Sequence, residues 1–387
     1  MEKICRRISE IGTVVGGGTP STKNPDYWGG DIPWISPKDL TDYKSVYISK
    51  GENFLTEKGL KSGTRLLPKN TLLFSSRAPI GYVALAANPI CTNQGFKSIV
   101  CDEKQVVPLY LYYYMKANLD YIKLFGTGAT FPEISGKTMG KIKVEIFKSL
   151  DVQHRIASIL STYDSLIENN AKRIRLLEKM AENLYKEWFV RFRFPGHENV
   201  EMENGLPKGW KRGSLSDVCE FKRGKNITSS EMQEGNVPVI SAGLEPSGYH
   251  SCSNVRGVNV TMSSSGANAG YIAIHYSDIW AADCSYIEES TTGNIYYVYE
   301  LLNNIRTVIN NFQRGAAQPH VYPKDVNRIK LILPSKELML KANGRLEIMH
   351  KEIYNLQKQN SLLARQRDLL LPRLMSGKLE VKEELLE

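Results

Sequence analysis

The chain contains two copies of one pattern, in which a mixed segment of roughly 150 residues is followed by a long helix with heptad spacing. The stretch that begins at Pro132 aligns with the stretch that begins at Pro319, at an offset of 187 positions. Toward the N-terminus the offset grows to 207, at Ile8 and Leu215. Shorter loops in the second copy produce such a change. The repeat therefore predicts two related domains whose loops have diverged.

Composition favours a soluble globular protein with more than one domain. The 387 residues are 42% hydrophobic and 24% charged, and no apolar run reaches the ~18 residues that a membrane span requires. Six scattered cysteines without a C-x-x-C pair argue against a zinc site or a disulfide framework. With no apolar signal segment at the N-terminus, we predict a cytoplasmic protein without membrane association. The net charge of +9 suits a polyanionic partner.

Local patterns divide the chain into four segments of a mixed α/β protein, in the α+β class. Short apolar runs between Gly, Pro and Asn residues predict strands, and heptad spacing predicts two long helices. The predicted segments are a globular domain at 1–150, a helix at 151–195, a second globular domain at 196–335, and a helix with the C-terminal tail at 336–387. The first helix should begin near Ser149 or Asp151, both good N-cap residues, and the second should stop or kink before Pro372.

Each predicted helix carries an asparagine in its apolar seam. In the first helix the d positions include Leu166 and Met180, and only Asn170 at a and Arg173 at d interrupt the apolar pattern. In the second helix Asn360 occupies an a position, 190 residues after Asn170. A single Asn in such a seam fixes register at a cost in stability. We predict that role for both, the alternative being a polar residue tolerated at a wet helix edge.

Connectivity predicts how the two helices pair. The first helix leads from domain 1 to domain 2, so the second must run back toward domain 1 in order to pack on it. We therefore predict two globular domains joined by an antiparallel two-helix coiled coil with pseudo-two-fold symmetry. At ~1.5 Å per residue over ~36 residues, the helices would form a spacer of roughly 55 Å.

Three motifs resemble catalytic sequences but lack essential parts. Ser135-Gly136-Lys137-Thr138 ends like a P-loop, yet Phe131 stands where the first glycine is required. Asn24-Pro25-Asp26-Tyr27 resembles the N-P-P-Y tetrad of adenine-N6 methyltransferases, with Asp in place of the second Pro and no Gly-rich cofactor fingerprint. Asp26 and Asp102-Glu103-Lys104 could be read as the acids and lysine of a nuclease, but such combinations arise often by chance. The histidines do not have the spacing of metal ligands. We predict no catalytic residues, no metal site and no cofactor on this chain.

The remaining chemistry is a set of cations and amides that suits DNA. Lys and Arg neutralise phosphates, whereas Arg, Asn and Gln form paired hydrogen bonds with base edges, each worth ~1–3 kcal/mol of discrimination. The candidates in the predicted loops of domain 1 are Lys38, Arg77, Asn93, Gln94, Lys97, Lys137 and Lys141. Those of domain 2 are Arg223, Lys225, Asn226, Asn268, Arg314, Gln318, His320 and Lys324.

These candidate positions differ between the copies although the framework matches. At an offset of 189, Arg77 corresponds to Gly266 and Pro79 corresponds to Asn268. For any single lysine the alternative is an ordinary solvated charge. The set as a whole predicts two domains that recognise different DNA half-sites.

The chain resembles the specificity (S) subunit of type I restriction-modification systems. The resemblance covers nearly the whole length and is carried by residues 16–40, 153–157 (QHRIA), 186–190 (KEWFV), 206–210 (LPKGW) and 369–377 (LLLPRLMSG). One departure is that the first domain begins without the L-P-x-G-W sequence that precedes the second.

The resemblance implies fold, partners and function. Members of this family have two target recognition domains, each of which reads one half of an interrupted DNA site. The two helices between them dock two methyltransferase (M) subunits, and restriction (R) subunits join the larger complex. S-adenosylmethionine, ATP and Mg²⁺ are then expected only on those partners. This chain is expected to be the non-catalytic subunit that binds double-stranded DNA in an adenine-N6 methyltransferase complex.

Two alternatives stay open at this point. A coiled-coil adaptor that bridges two protein partners would also use duplicated domains and long helices. A stand-alone enzyme is the more distant alternative, and methyl transfer by the purified chain alone would support it.

Overall fold

The computed structural model describes residues 2–128, 130, 132–315 and 319–381, and its contacts divide the chain into two compact units. Unit 1 comprises Met1–Asn170 and Gln359–Glu387, and unit 2 comprises Ala171–Lys358. Each unit thus combines one mixed domain with part of both long helices. The predicted fold class, with two repeated α+β domains and two long helices, is confirmed. The four-segment division stays a prediction.

In unit 1 short strands and helices surround an apolar core. The strands are Lys3–Arg7, Gly12–Gly16, Trp28–Ile35, Tyr47–Ile48, Asn53–Leu55, Leu72–Ser76, Ile80–Ala86, Cys91–Thr92, Lys97–Cys101 and Lys143–Phe147. The short helices are Ile8–Ile11, Pro25–Tyr27, Pro37–Leu40, Glu57–Lys61, Pro108–Ala117, Leu119–Lys123 and Gly136–Lys141. The core includes Tyr110 and Phe147 together with Ile156 and Leu374 from the two long helices. Burial of each such side chain contributes ~1.5–3 kcal/mol to the free energy of folding. The long helices therefore help to stabilise this unit.

Unit 2 repeats this organisation. Its strands are Met202–Glu203, Leu206–Pro207, Lys211–Ser214, Lys222–Arg223, Val237–Ile240, Gly248–His250, Asn259–Ser263, Ile272–His275, Trp280–Ala281, Cys284–Glu288 and Lys330–Leu333. Its short helices are His197–Asn199, Leu215–Asp217, Gly266–Asn268, Glu289–Thr292, Ile295–Asn304, Arg306–Asn310 and Pro323–Val326. Its own core includes Tyr297 and Leu302 with Ala181 and Leu346 of the long helices.

Strand pairing shows why the sequence repeats with a changing offset. Ile35 pairs in parallel with Thr92 in unit 1, and Ile240 pairs in parallel with Ala281 in unit 2. The first members of these pairs are 205 positions apart and the second members 189, so equivalent strands persist while the loops between them shorten. Unit 1 also carries the edge strand Tyr47–Ile48, which has no counterpart among the strands described for unit 2.

The two long helices are helix 1 (Leu150–Tyr185), which Lys186–Val190 extends as a π-helical turn, and helix 2 (Lys336–Ser376). The Ser149 hydroxyl accepts a hydrogen bond from the Val152 amide at 3.4 Å, as predicted for an N-cap. The sequence predicted that helix 2 would stop or kink at Pro372, but it continues to Ser376. Proline removes one backbone bond there, while burial of Leu374 in the unit 1 core favours one more turn.

Pairs inside each unit show that the two helices run antiparallel. In unit 1 Asp164 bonds Arg367 and Asn170 bonds Asn360, so the partner number falls as the helix 1 number rises. In unit 2 the same order is given by Arg173 with Glu352 and by Trp188 with Arg345. The predicted antiparallel pairing is therefore confirmed within each unit.

The predicted seam was right for helix 2 and partly wrong for helix 1. Leu346, Ile353 and Leu356 of helix 2 are buried, as the heptads required. In helix 1 the predicted d residues Leu166 and Met180 are 48% and 53% exposed. One residue after the predicted d positions, Leu160 and Ala181 are buried, and Ile167 and Ile174 are half-buried. Helix 1 packs on a globular domain as well as on helix 2, and this shifts its buried face.

One polar side chain ties each long helix to its mixed domain. Gln153, which is fully buried, accepts a hydrogen bond from the Val107 amide at 2.8 Å. Asn343, 190 positions later, accepts hydrogen bonds from the amides of Tyr296 and Tyr297 at 3.1 and 3.2 Å. These amides lie at the N-terminus of a short helix in each domain, where backbone donors lack partners within the helix.

Gln153→Leu and Asn343→Leu are each expected to lower the free energy of unfolding by ~1–3 kcal/mol, because each leaves a buried amide without an acceptor. Chemical denaturation of the purified variants measures the loss. Gln366→Leu, at an exposed position of helix 2, is the matched control and should change stability by less than ~0.5 kcal/mol. Equal losses in all three variants would contradict the anchoring role.

Candidate nucleic-acid interface

Two of the residues predicted in domain 1 pair with one carboxylate, and two more lie on the turn beside it. Glu133 Oε1 lies 3.1 Å from Lys97 Nζ, and Glu133 Oε2 lies 3.5 Å from Arg77 Nη1. Lys97 Nζ also donates to the carbonyl oxygen of Gln94 at 3.3 Å. The Asn93 side chain folds back on this turn and accepts a hydrogen bond from the amide two residues later at 2.8 Å. We call these five residues the Glu133 cluster.

Glycines bring the neighbouring loops against this cluster. A Cβ on Gly17 would lie 1.9 Å from the carbonyl oxygen of Asn93, so that only glycine allows this approach. A Cβ on Gly136 would lie 3.8 Å from Lys97 Cδ, which places the start of the helix Gly136–Lys141 beside the cluster. The glycine-rich stretch at 16–18 is thus a packing element of this surface.

The other three lysines predicted in domain 1 lie outside the cluster. Lys137 and Lys141 are exposed on the short helix, line a cavity of about 340 Å³, and have no ion-pair partner among the residues that the structure describes. Lys38 instead pairs with Glu52 at 2.9 Å. The hydrogen bond to the Glu52 carboxylate raises the pKa of the Lys38 amine above its ordinary value.

In unit 2 two of the predicted residues, Arg314 and His320, are linked with a serine and two acids that were not predicted. The Ser265 hydroxyl donates to Asp283 Oδ2 at 2.6 Å, and Arg314 Nη2 lies 3.0 Å from Asp325 Oδ2. His320 forms backbone bridges with both Ser265 and Arg314. We call these five residues the His320 cluster.

The remaining candidates of domain 2 that the structure describes lie on a short strand, on two short helices and on the loop that follows the strand. A Cβ on Gly224 would lie 2.4 Å from the carbonyl oxygen of Ala282, so this loop runs beside the residue that precedes Asp283. Gln318 lies outside the described residues. The candidates that the structure places as exposed or half-buried are Arg223, Lys225, Asn226, Asn268 and Lys324.

Backbone bridges relate the two clusters and correct the sequence alignment. Glu133 and His320 are 187 positions apart, and each bridges one residue of a preceding loop. That residue is Arg77 in unit 1 and Ser265 in unit 2. The alignment had matched Arg77 with Gly266, one position later, because a constant offset ignores the different loop lengths. Whether Arg77 is matched with Gly266 or with Ser265, the second copy has no cation at the equivalent position.

The carboxylates of both clusters escaped the sequence-based prediction, which searched for cations and amides only. They are Glu133, Asp283 and Asp325. The sequence alignment could have identified Glu133. It directly follows the aligned Pro132, and the residue at the equivalent position of the second copy, His320, is not an acid.

The two seam asparagines contact each other in unit 1. Asn170 Nδ2 donates to Asn360 Oδ1 at 3.0 Å and to Gln359 Oε1 at 2.8 Å. Asn360 Nδ2 donates to the carbonyl oxygen of Ile167 at 3.3 Å. The side-chain amide of each asparagine therefore hydrogen-bonds to groups of the opposite helix. A role of the pair in setting the helix register stays a prediction.

Within the described ranges, no group of three or more His, Cys, Asp or Glu side chains is arranged to hold a metal ion. A membrane-spanning helix is likewise not found in that part of the chain.

The chain belongs to the family of type I restriction-modification DNA specificity domains, whose model matches residues 3–179 and 207–360. It is 35% identical to the type I restriction enzyme MjaIX specificity subunit of Methanocaldococcus jannaschii, over 98% of this chain and 94% of that protein. It is 25% identical to the putative type I specificity subunit S.MgeORF438P of Mycoplasma genitalium, over 79% of this chain and 81% of that protein. The resemblance predicted from the sequence is therefore confirmed.

One solved structure supports the fold. The S subunit of a type I restriction-modification system from M. genitalium superposes with a TM-score of 0.69 at 21% identity, over 99% of this chain and 97% of that chain.

Proposed function

We propose that this chain is a non-catalytic DNA-specificity subunit whose two mixed domains each read one half of an interrupted, asymmetric site. The observation that carries the proposal is a repeated framework with different polar clusters. The Glu133 cluster presents an acid between two cations, whereas the His320 cluster presents a hydroxyl, an imidazole and an arginine with two acids. Base pairs differ in the donors and acceptors that they show in the major groove. Different donor patterns on one framework therefore suit two different half-sites.

Phosphate contacts are assigned to the exposed cations beside the clusters. Lys137 and Lys141 are one helical turn apart, so both amines can follow a DNA backbone that passes the short helix. Such contacts hold the protein in place on the duplex and carry no sequence information directly.

Replacing Lys137 and Lys141 together by Ala should weaken binding to all DNA sequences to a similar degree. The slope of log affinity against log salt should fall by about two, roughly one for each phosphate that the variant no longer neutralises. A salt series with cognate and random duplexes measures this slope. The double variant of Lys69 and Lys104, which are exposed and have no ion pair with a described residue, is the matched control and should leave the slope unchanged. Weaker binding confined to one sequence would contradict the assignment.

The long helices are proposed to dock two M subunits. Exposed apolar surface of this kind commonly marks a protein interface, and both units carry it. In unit 1 the exposed residues are Leu166, Leu362 and Leu369, and in unit 2 they are Leu176, Met180, Leu340 and Ile348. Because each unit has its own set of exposed apolar residues, each unit could bind one M subunit.

The partners would supply the chemistry. M subunits would bind S-adenosylmethionine and methylate adenine N6, and R subunits would use ATP and Mg²⁺ in a cytoplasmic complex. Because the target base must leave the helix to reach an M subunit pocket, this chain needs only to hold the correct duplex in place.

A salt-titrated binding assay separates DNA reading from the adaptor alternative, which the exposed apolar helix surfaces also fit. The purified chain is mixed with an M subunit and with random-sequence duplexes. The proposal predicts an affinity that falls steeply as salt rises, and selection of one interrupted sequence from the pool. Binding that ignores salt, or that never appears even with the M subunit, would favour the adaptor.

A further inference from the structure

Glu133 is held from two directions in a way that fixes its carboxylate. Its backbone forms bridges with Thr127 on one side and with Arg77 on the other. Its two side-chain oxygens are divided between Lys97 at 3.1 Å and Arg77 at 3.5 Å. A single acid thus determines where two neighbouring cations lie.

The exposure of these groups argues against a purely structural role. The side chains of Glu133 and Arg77 are 36% and 38% exposed, and ion pairs at such surfaces contribute little to stability. The Lys97 side chain is 16% exposed, and its amine also donates to Gln94 and Ser76. The arrangement holds Lys97 firmly and leaves Arg77 accessible.

Contact with Glu133 occupies only one side of the Arg77 guanidinium. The atom involved is Nη1, and no other ion pair of this guanidinium is found among the residues that the structure describes, which leaves further N–H groups for a ligand. Guanine recognition by arginine requires two of these groups to meet O6 and N7 in one plane. A carboxylate that fixes the orientation of the guanidinium lowers the entropy lost when this contact forms.

The second domain lacks this arrangement. His320 stands in the place of Glu133 and Ser265 in the place of Arg77, while Arg314 pairs with Asp325 on the short helix that follows. Of these two equivalent loop sites, as far as the described residues go, only the one in the first domain has an acid between two cations.

We propose that Glu133 is a positioning residue that sets the base preference of Arg77 in the first half-site. This inference rests on the proposed function, since it assigns a role within the same DNA-reading surface. Glu133 acts through Arg77, and its own carboxylate is already engaged by the two cations.

The test uses the full chain assembled with its M subunits, and compares Glu133→Gln with the unsubstituted protein by selection from a random duplex pool. Discrimination at one or more positions of the first half-site should fall by ~5- to 100-fold. The second half-site should be unchanged, which also shows that the variant is folded. Affinity for random DNA should rise, and the salt slope should steepen by up to about one, because a cation loses its internal partner.

Glu145→Gln is the matched control, because Glu145 carries the same charge in the same unit and pairs with Lys3 instead of a loop residue. It should leave both half-sites unchanged. Unchanged discrimination in Glu133→Gln, or equal loss in both half-sites, would overturn the inference while the proposed function stands. An unsubstituted complex that selects no sequence would overturn both.

Discussion

A chain whose first domain is exchanged for that of another family member should recognise a DNA site that is changed in one half only. The reason is that the Glu133 cluster lies wholly within unit 1 and the His320 cluster wholly within unit 2. Each mismatched base pair costs ~1–3 kcal/mol, so a new half-site should reduce affinity for the original site by at least ~5-fold for each changed base pair.

The structure determines where the exchange should be made. An exchange of residues 1–150 alone would leave Ile156 and Leu160 of helix 1 and Leu374 of helix 2 facing a foreign core. Moving 1–170 together with 359–387 keeps the core of unit 1 intact. The reciprocal exchange of 171–358 should change the other half only. A change in both halves, or in neither, would contradict the presence of two independent reading domains.

Lengthening both long helices by seven residues should widen the unread gap by about three base pairs, at ~1.5 Å per helical residue and ~3.4 Å per base pair. Both half-sites should keep their identity. The insertions belong after Ala171 in helix 1 and before Gln359 in helix 2, close to the contact between Asn170 and Asn360. Sites selected from a random pool report the gap directly.

Insertion into one helix alone is the control for this prediction. It would move every later residue of that helix by one heptad relative to its partner, so that pairs such as Arg173 with Glu352 could not form together with Asn170 and Asn360. Lower stability and no defined gap are expected. An unchanged gap in the double insertion, or loss of either half-site, would show that the helices do not set the spacing.

The sequence predicted those features that depend on periodicity and connectivity. The repeat, the two long helices and the antiparallel pairing follow from patterns that persist over many residues, and the Ser149 cap follows from a local preference at helix starts. Two d positions of helix 1 were wrong. Leu166 and Met180 satisfy the heptad but are exposed, whereas the residues that follow them, Ile167 and Ala181, are half-buried and buried. A heptad pattern describes one partner helix, and helix 1 also contacts a globular domain.

The candidate site was predicted only in part for a related reason. Arg77, Asn93, Gln94 and Lys97 carry the chemistry of DNA contact, and the structure brings them together. Glu133 is 36 positions from Lys97, and only the fold places their charged groups 3.1 Å apart. A search by residue type finds cations that suit a polyanion, but it does not find the acid that pairs with them.

Sequencing of methylated adenines in a cell that contains this chain with its M subunit, and in the same cell without the chain, tests the central claim most directly. We predict one interrupted, asymmetric motif that is methylated only when the chain is present. Exchange of unit 1 should then alter one half of that motif. Identical methylation in both cells, or a motif without an unread gap, would contradict a specificity subunit with two reading domains.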